Sequence, residues 1–217
     1  MGRIICLADS RKHGLHCVAG VDPRTGKWVR PVSRHPDGAL HPGDILVEGR
    51  QLSILDIIEF PERDAPAVDF GFQPENVLIG PGRWEIVGRA SAEEVLAFCE
   101  SSRVLLHNAY DRVSYRYLQG LPRDRWKSLQ LVRATRLCFR MVRRPGKADQ
   151  CRAGFAYPPG GRTRYDLPLT DPVWERVVAD GRAGRSECIF AVSLGMPFSP
   201  DDREPACFKL VAGVIRL

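Results

Sequence analysis

The chain has 217 residues, 44% hydrophobic and 27% charged, with 20 Gly, 17 Pro and 7 Cys, a balance that excludes whole-chain disorder. That length suits one large domain or two of about 100 residues each. The formal charge of +6 resolves into +5 over residues 1–35, −7 over 36–122, +10 over 123–164 and −2 over 165–217, and such segregation points to a polyanion partner.

In chain order, Arg3–Ala8, Cys17–Asp22 and Lys27–Ser33 predict strands, and Asp22-Pro-Arg-Thr-Gly26 predicts the tight turn between the last two. His35–Gly43 reads as a loop, and Asp44–Glu48 and Leu52–Phe60 as further strands. Residues 61–76 hold three Pro and no sustained period, so they form a long loop or arm, burying Phe70 and Phe72 while Glu75 and Asn76 satisfy backbone groups. Short strands follow at Val77–Ile79 and Trp84–Gly88. Ser91-Ala-Glu-Glu94 is a capping-box pattern and predicts a helix over about 92–101.

Residues 103–128 have mixed signals, and the junction between two halves is set there, at 122. Beyond it lie strands at Leu129–Arg136, Leu137–Arg144, Cys151–Tyr157 and Arg164–Leu169. A helix capped by Thr170 or Asp171 with Pro172 in its first turn comes next, then strands Cys188–Leu194 and Phe208–Leu217. Short strands with one helix before the last two match the order of an OB barrel, although SH3-like and PUA-like barrels give similar strings. The fold expected is mostly β, with two OB-like small barrels packed in one unit: 1–122, with its capped helix, and 123–217.

Several segments carry a family resemblance: SRKHGLHCVAGVDPRTGKWVRPVS at Ser10–Ser33, LDIIEF at Leu55–Phe60, QPEN at Gln73–Asn76, SLQLVR at Ser128–Arg133, SLGMPF at Ser193–Phe198 and KLVAGVI at Lys209–Ile215. With these, nearly the whole chain resembles the bacterial dual OB-containing domain proteins. The resemblance implies two OB-like barrels and a role in binding nucleic acid. It implies no established reaction and no catalytic residue.

The residues themselves give candidate contacts. Arg133, Arg136, Arg140, Arg143, Arg144, Lys147 and Arg152 alternate with Phe139, Phe155, Tyr157 and Tyr165, a mixture suited to backbone-tracking cations and base-stacking rings on a single strand. The tyrosines are the stronger stacking candidates, and the phenylalanines read more simply as core. Pro158–Arg164, with Arg162 and Arg164, is a basic glycine-containing loop beside them. A second block comprises Arg11, Lys12 and His13 after the first strand, with Lys27, Trp28, Arg30 and Arg34 on the adjacent hairpin; Trp28 faces either solvent or core.

Other chemistry has weaker support. Cys6, His13, His16 and Cys17 form a C-x6-H-x2-H-C string, which lacks the paired arms of a zinc site. Asp9, Asp56, Glu59 and Glu75 are carboxylates of the type a metal-dependent nuclease uses, but no characteristic spacing joins them. No phosphate-binding Gly-rich signature is present, so no cofactor is expected. No apolar run reaches the roughly 18 residues of a membrane span, and the start lacks a signal-peptide apolar region, so the expectation is a cytoplasmic chain. The reading is a non-catalytic nucleic-acid-binding recognition module for single-stranded DNA or RNA, working with a possible effector protein. A metal-dependent nuclease and a protein interaction scaffold are the alternatives.

Overall fold

The computed structural model describes residues 1–12, 15–184, 186–199 and 203–217, with Lys12 by its backbone alone. The first part of the chain supplies β1 (Gly2–Lys12), β2 (Leu15–Val21), β3 (Trp28–Val32), β4 (Leu46–Val47), β5 (Arg50–Gln51), β6 (Asp56–Phe60), β7 (Asn76–Leu78) and β8 (Glu85–Arg89). The β2–β3 turn forms where its residues predict it. Asp22 Oδ1 accepts from Arg24 N at 2.8 Å, Gly26 N donates to the Asp22 carbonyl at 2.8 Å, and Gly26 takes a φ of +68°, which glycine adopts without a Cβ penalty.

These strands lie in the order β7-β3-β2-β1-β6-β8. Only the β3–β7 pair is parallel, and past it Glu62 and Ile79 bridge antiparallel, with Arg63 N donating to Leu78 O at 2.9 Å. The bridge returns β7 to the run after β6 and closes a ring of β1, β2, β3, β7 and β6. β8 is an additional strand on β6, and the β4–β5 hairpin occupies the β3–β6 connection. That hairpin and β8 explain the uneven strand count of this half.

The capping box opens α1 (Ala92–Leu96): Ser91 Oγ accepts from Glu94 N at 3.1 Å and Glu94 Oε2 accepts from Ser91 N at 2.6 Å. The helix expected to reach about residue 101 stops earlier. Phe98 N and Cys99 N turn back to the carbonyls of Val95 and Leu96, three residues before them, at 3.0 and 3.1 Å, tightening the last turn.

The second sheet contains β9 (Arg112–Ser114), β10 (Leu129–Arg144), β11 (Lys147–Ala156), β12 (Arg164–Pro168), β13 (Cys188–Leu194) and β14 (Ala206–Arg216), in the order β12-β11-β10-β13-β14-β9. The helices here are α2 (Tyr115–Gln119) and α3 (Pro172–Ala179). The two strands expected over 129–144 are one. Arg136 adopts a φ of +53° at a register shift between Thr135 and Cys138, so β10 bends without breaking and pairs with β13 before the bend and β11 after it. Counted so, three strands, a helix and two strands follow one another, and a parallel bridge between Leu169 and Val211 joins the ends of the ring. β9 pairs with β14, so strands of the second sheet begin ahead of residue 122.

Alternation in the central strands feeds three apolar layers. Ile4 and Cys6 enter the first barrel with Ile58 and Phe60, while Phe155, Phe190 and Val211 fill the second. Between them Ile5 and Leu7 of β1 and Ala19 and Val21 of β2 meet Leu129 and Leu131 of β10, Ile189 and Ala191 of β13, and Ala212 and Ile215 of β14. Strands buried on both faces read as unbroken apolar runs, as in Ile4–Ala8 and Cys188–Val192. At this seam a Cβ on Gly213 would stand 2.0 Å from the Leu7 carbonyl oxygen, so only glycine permits the approach of β14 to β1.

Residues from the arm and loops tie the two halves further. Phe72, on the arm before β7, is buried in the core of the second barrel. Lys209, fully buried, donates to the carbonyls of Leu105, Asn108 and Tyr110, each at 2.7 Å, and holds the loop before β9. Burial lowers its pKa to about 8. Among the described residues no helix is long and apolar enough to cross a membrane.

Candidate nucleic-acid interface

The register of β10, β11 and β12 sorts their side chains onto two faces. Arg140 stands opposite Arg152, Gly154 opposite Asp166, and Ala156 opposite Arg164, all on the outer face. The aromatic side chains project to the other. Phe139 lies 5.2 Å from Trp174, and Phe155 stacks on Tyr165 at 5.7 Å and meets Phe190 at 5.0 Å. Cations and rings that alternate in sequence therefore part to opposite sides, as a period of two requires.

This corrects the stacking assignment of the tyrosines. Tyr157 is 0% and Tyr165 is 4% exposed. The Tyr157 hydroxyl accepts from Ser102 N at 2.9 Å and donates to the Glu100 carbonyl at 3.1 Å; that of Tyr165 accepts from Leu105 N at 3.1 Å. A buried phenol needs such a partner, and these two hold the 100–110 loop against the barrel with no ring face open to a base.

The cations remain outside. Residues 136–166 contain 8 Lys/Arg and 2 Asp/Glu, and from Arg140 to Asp149 no residue is buried. The β10–β11 hairpin is thus an arm whose tip, Arg143-Arg-Pro-Gly-Lys147, touches no core. Arg140 and Arg152 share Asp166, whose Oδ2 accepts from Arg140 Nη2 at 2.7 Å and Arg152 Nε at 2.9 Å. Burial raises the Asp166 pKa, but these bonds outweigh it and hold the carboxyl below its ordinary value. Arg133 is paired with Glu187, and Arg144 donates to the Ala148 carbonyl at 2.9 Å. Arg136, Arg143, Lys147, Arg162 and Arg164 have no ion pair among the described residues.

The first block is arranged otherwise. Arg30 is 8% exposed, bonded to Glu75 at 3.0 Å, Ser128 Oγ at 3.0 Å and Ser193 Oγ at 3.5 Å, and Ser128 Oγ also donates to Glu75. This node joins β3, the arm, β13 and the residue before β10, so Arg30, expected on an exposed nucleic-acid face, is held inside the protein. Trp28 is half-buried against the seam. Arg11 is exposed and donates to Gln51 Oε1 at 3.0 Å, and Lys27 is exposed. His13 and the Lys12 side chain lie outside the described residues.

The carboxylates do not gather. Asp9 bonds His16 Nδ1 at 2.7 Å, Asp56 takes Arg50 and Arg89 at 2.7 and 2.9 Å, Glu59 pairs with Arg3, and Glu75 with Arg30. No group of three or more His, Cys, Asp or Glu among the described residues is placed to hold a metal ion. At the opposite edge of the second sheet lies a feature that sequence reading passed over. Phe198 is 60% exposed, 6.3 Å from Phe208, and the Arg112 guanidinium lies 5.6 Å over the Phe208 ring. Its signal in the sequence was Phe198 itself, which closes the SLGMPF segment beyond the end of the expected strand at Leu194.

Two barrels of the same five-strand logic, joined back to back and with an arginine-rich face on the second, define a double OB-like protein. The chain belongs to the dual OB-containing domain family, which matches residues 2–214. No match was found among curated proteins or among solved structures.

Proposed function

We propose that this protein binds single-stranded nucleic acid on the outer face of β10, β11 and β12 and serves as a recognition module, leaving chemistry to a partner protein. The observation that carries the reading is the exposed arm and sheet face with 8 cations against 2 carboxylates over 136–166. The face of the second and third strands and the loops joining strands one to two and four to five are the usual ligand surface of an OB barrel; here β11, β12 and the 144–147 turn answer to it, with the basic 158–163 loop beside them. With Tyr157 and Tyr165 buried, capture is chiefly electrostatic, and guanidinium planes are the stacking surfaces available to a base.

A salt series with a labelled oligonucleotide tests it. Affinity should fall linearly in a log–log plot with a slope of about −0.7 for each phosphate neutralised on a single strand. Reversing the charge at Arg136, Arg140 and Arg143 should weaken binding at least about tenfold at low salt. Binding absent at low salt, or indifferent to salt, would refute the reading.

A further inference from the structure

At one end of the seam the two barrels leave a cavity of about 210 Å³. Of the six segments that carry the family resemblance, all but the second, Leu55–Phe60, reach it: Ser10 and Arg30 come from the first, Gln73 from the third, Leu129 from the fourth, Ser193 from the fifth and Leu210 from the last. Its walls are mostly apolar, and the small side chains of Ala8, Ala19 and Ala212 make the room.

The walls also carry the Asp37 carboxylate and the Ser10, Thr170 and Ser193 hydroxyls, and beside these acceptors Gln73 and Arg30 are donors with unused capacity. Gln73 is 4% exposed and its Oε1 accepts from Asn76 Nδ2 at 3.0 Å, while its Nε2 has no hydrogen-bond partner among the described residues. Every side-chain bond of Arg30 leaves from Nη2, so Nε and Nη1 are likewise without a partner among the described residues. Neither residue supplies one of the fully enclosed orphan atoms among the described residues, which are Asn76 Oδ1 and Asp166 Oδ1, and both residues line the cavity. A ligand bearing acceptors can bond to these donors inside the cavity.

We infer that this cavity takes a single guanine base. Glu75, 3.0 Å from Arg30, already neutralises that guanidinium and repels an anion, so the inner end suits an uncharged acceptor and not a phosphate. Guanine offers two acceptors, N7 and O6, along one edge, where adenine places an amino donor. Its flat faces fit the apolar walls, and Arg11, exposed at the rim, supplies charge for the phosphate outside. The site stands on its own geometry. The source of the base, a free nucleotide or an unstacked guanine in a bound strand, rests for its second case on the nucleic-acid reading above.

The test is calorimetric titration of the full chain with GMP, AMP, a homothymidine strand and the same strand carrying one central guanine. GMP should bind one per chain and AMP at least about fivefold more weakly. Gln73→Leu should weaken GMP about tenfold, and Ser10→Trp, a rim substitution outside the barrel cores, should abolish it; neither should alter the homothymidine strand. Melting temperatures report whether each variant folds, and Ser10→Trp carries the test alone if Gln73→Leu does not. A guanine-containing strand that binds more tightly than homothymidine without GMP binding assigns the site to a base in a strand. If GMP fails to bind and guanine gives the strand no advantage, or if AMP equals GMP, the proposal is wrong. Salt-dependent binding of homothymidine in that case leaves the nucleic-acid reading standing, whereas GMP binding with neither strand bound overturns that reading and keeps the cavity.

Discussion

The two basic blocks look alike in sequence and are put to opposite uses. Arg30 in the first is drawn into a four-residue node beneath the seam, with a carboxylate and two hydroxyls around its Nη2. In the second, Arg136, Arg143, Lys147, Arg162 and Arg164 stand on an arm and a sheet face with no ion pair among the described residues. Positive charge along a chain is thus no measure of positive surface, because burial forces a cation to find a partner, whereas an exposed one is free to wait for a ligand.

The contrast is broken most directly at Arg30. Arg30→Met should destabilise the protein by about 3–5 kcal/mol, since it leaves Glu75 buried and unpaired; urea unfolding measures this, and a neutral result would return Arg30 to the surface class. A combined Arg136, Arg143, Lys147 and Arg164 replacement by Gln should do the reverse. Oligonucleotide affinity should drop on the order of 100-fold, with the salt slope flatter by about 3, and the melting temperature should hold.

A third prediction concerns the acidic groups beneath the first block. Asp171 caps α3 by accepting from Val173 N at 2.9 Å and Trp174 N at 3.1 Å, and its other oxygen accepts from Val214 N at 3.1 Å. Burial nonetheless raises its pKa to about 6, with the Asp9 charge adding to the rise and the backbone bonds opposing it. The folded state therefore holds this proton after the unfolded chain has released it near 3.8. The contribution is fully present below the unfolded value and is lost as pH rises to about 6, a change of roughly 2–3 kcal/mol. Asp171→Asn should flatten that part of the stability profile, measured by denaturation at stepped pH. Last and smallest, Tyr157→Phe should cost about 1 kcal/mol for its lost hydroxyl bonds and leave oligonucleotide affinity unchanged. A fall in affinity would put Tyr157 back among the stacking residues.

Much of the fold was readable. The Asp22–Gly26 turn, the Ser91–Glu94 capping box and the Asp171-Pro172 helix start are local devices whose hydrogen bonds close within a few residues, so composition alone reveals them. The bend in β10 was not readable, because Arg136 takes a positive φ that its residue type does not advertise, and two expected strands proved to be one. The arm before β7 was expected to bury Phe72; that it buries it in the other barrel depends on chain crossing, which no local pattern records.

The sequence by itself determined a mostly β chain, the positions of its turns and caps, the family to which it belongs, and where positive charge is concentrated, since all of these rest on short-range chemistry or on matched segments. Tertiary structure alone decided which cations face water. A strand's alternation specifies two faces without saying which is covered. In β10–β12 the barrel core claimed Tyr157 and Tyr165 and left the arginines outside, while in β1–β3 the second barrel covered the other face as well and took Arg30 inside. The seam cavity has the same origin, since its walls come from segments as far apart in the chain as Ala8 and Ala212, and exist only where the two barrels meet.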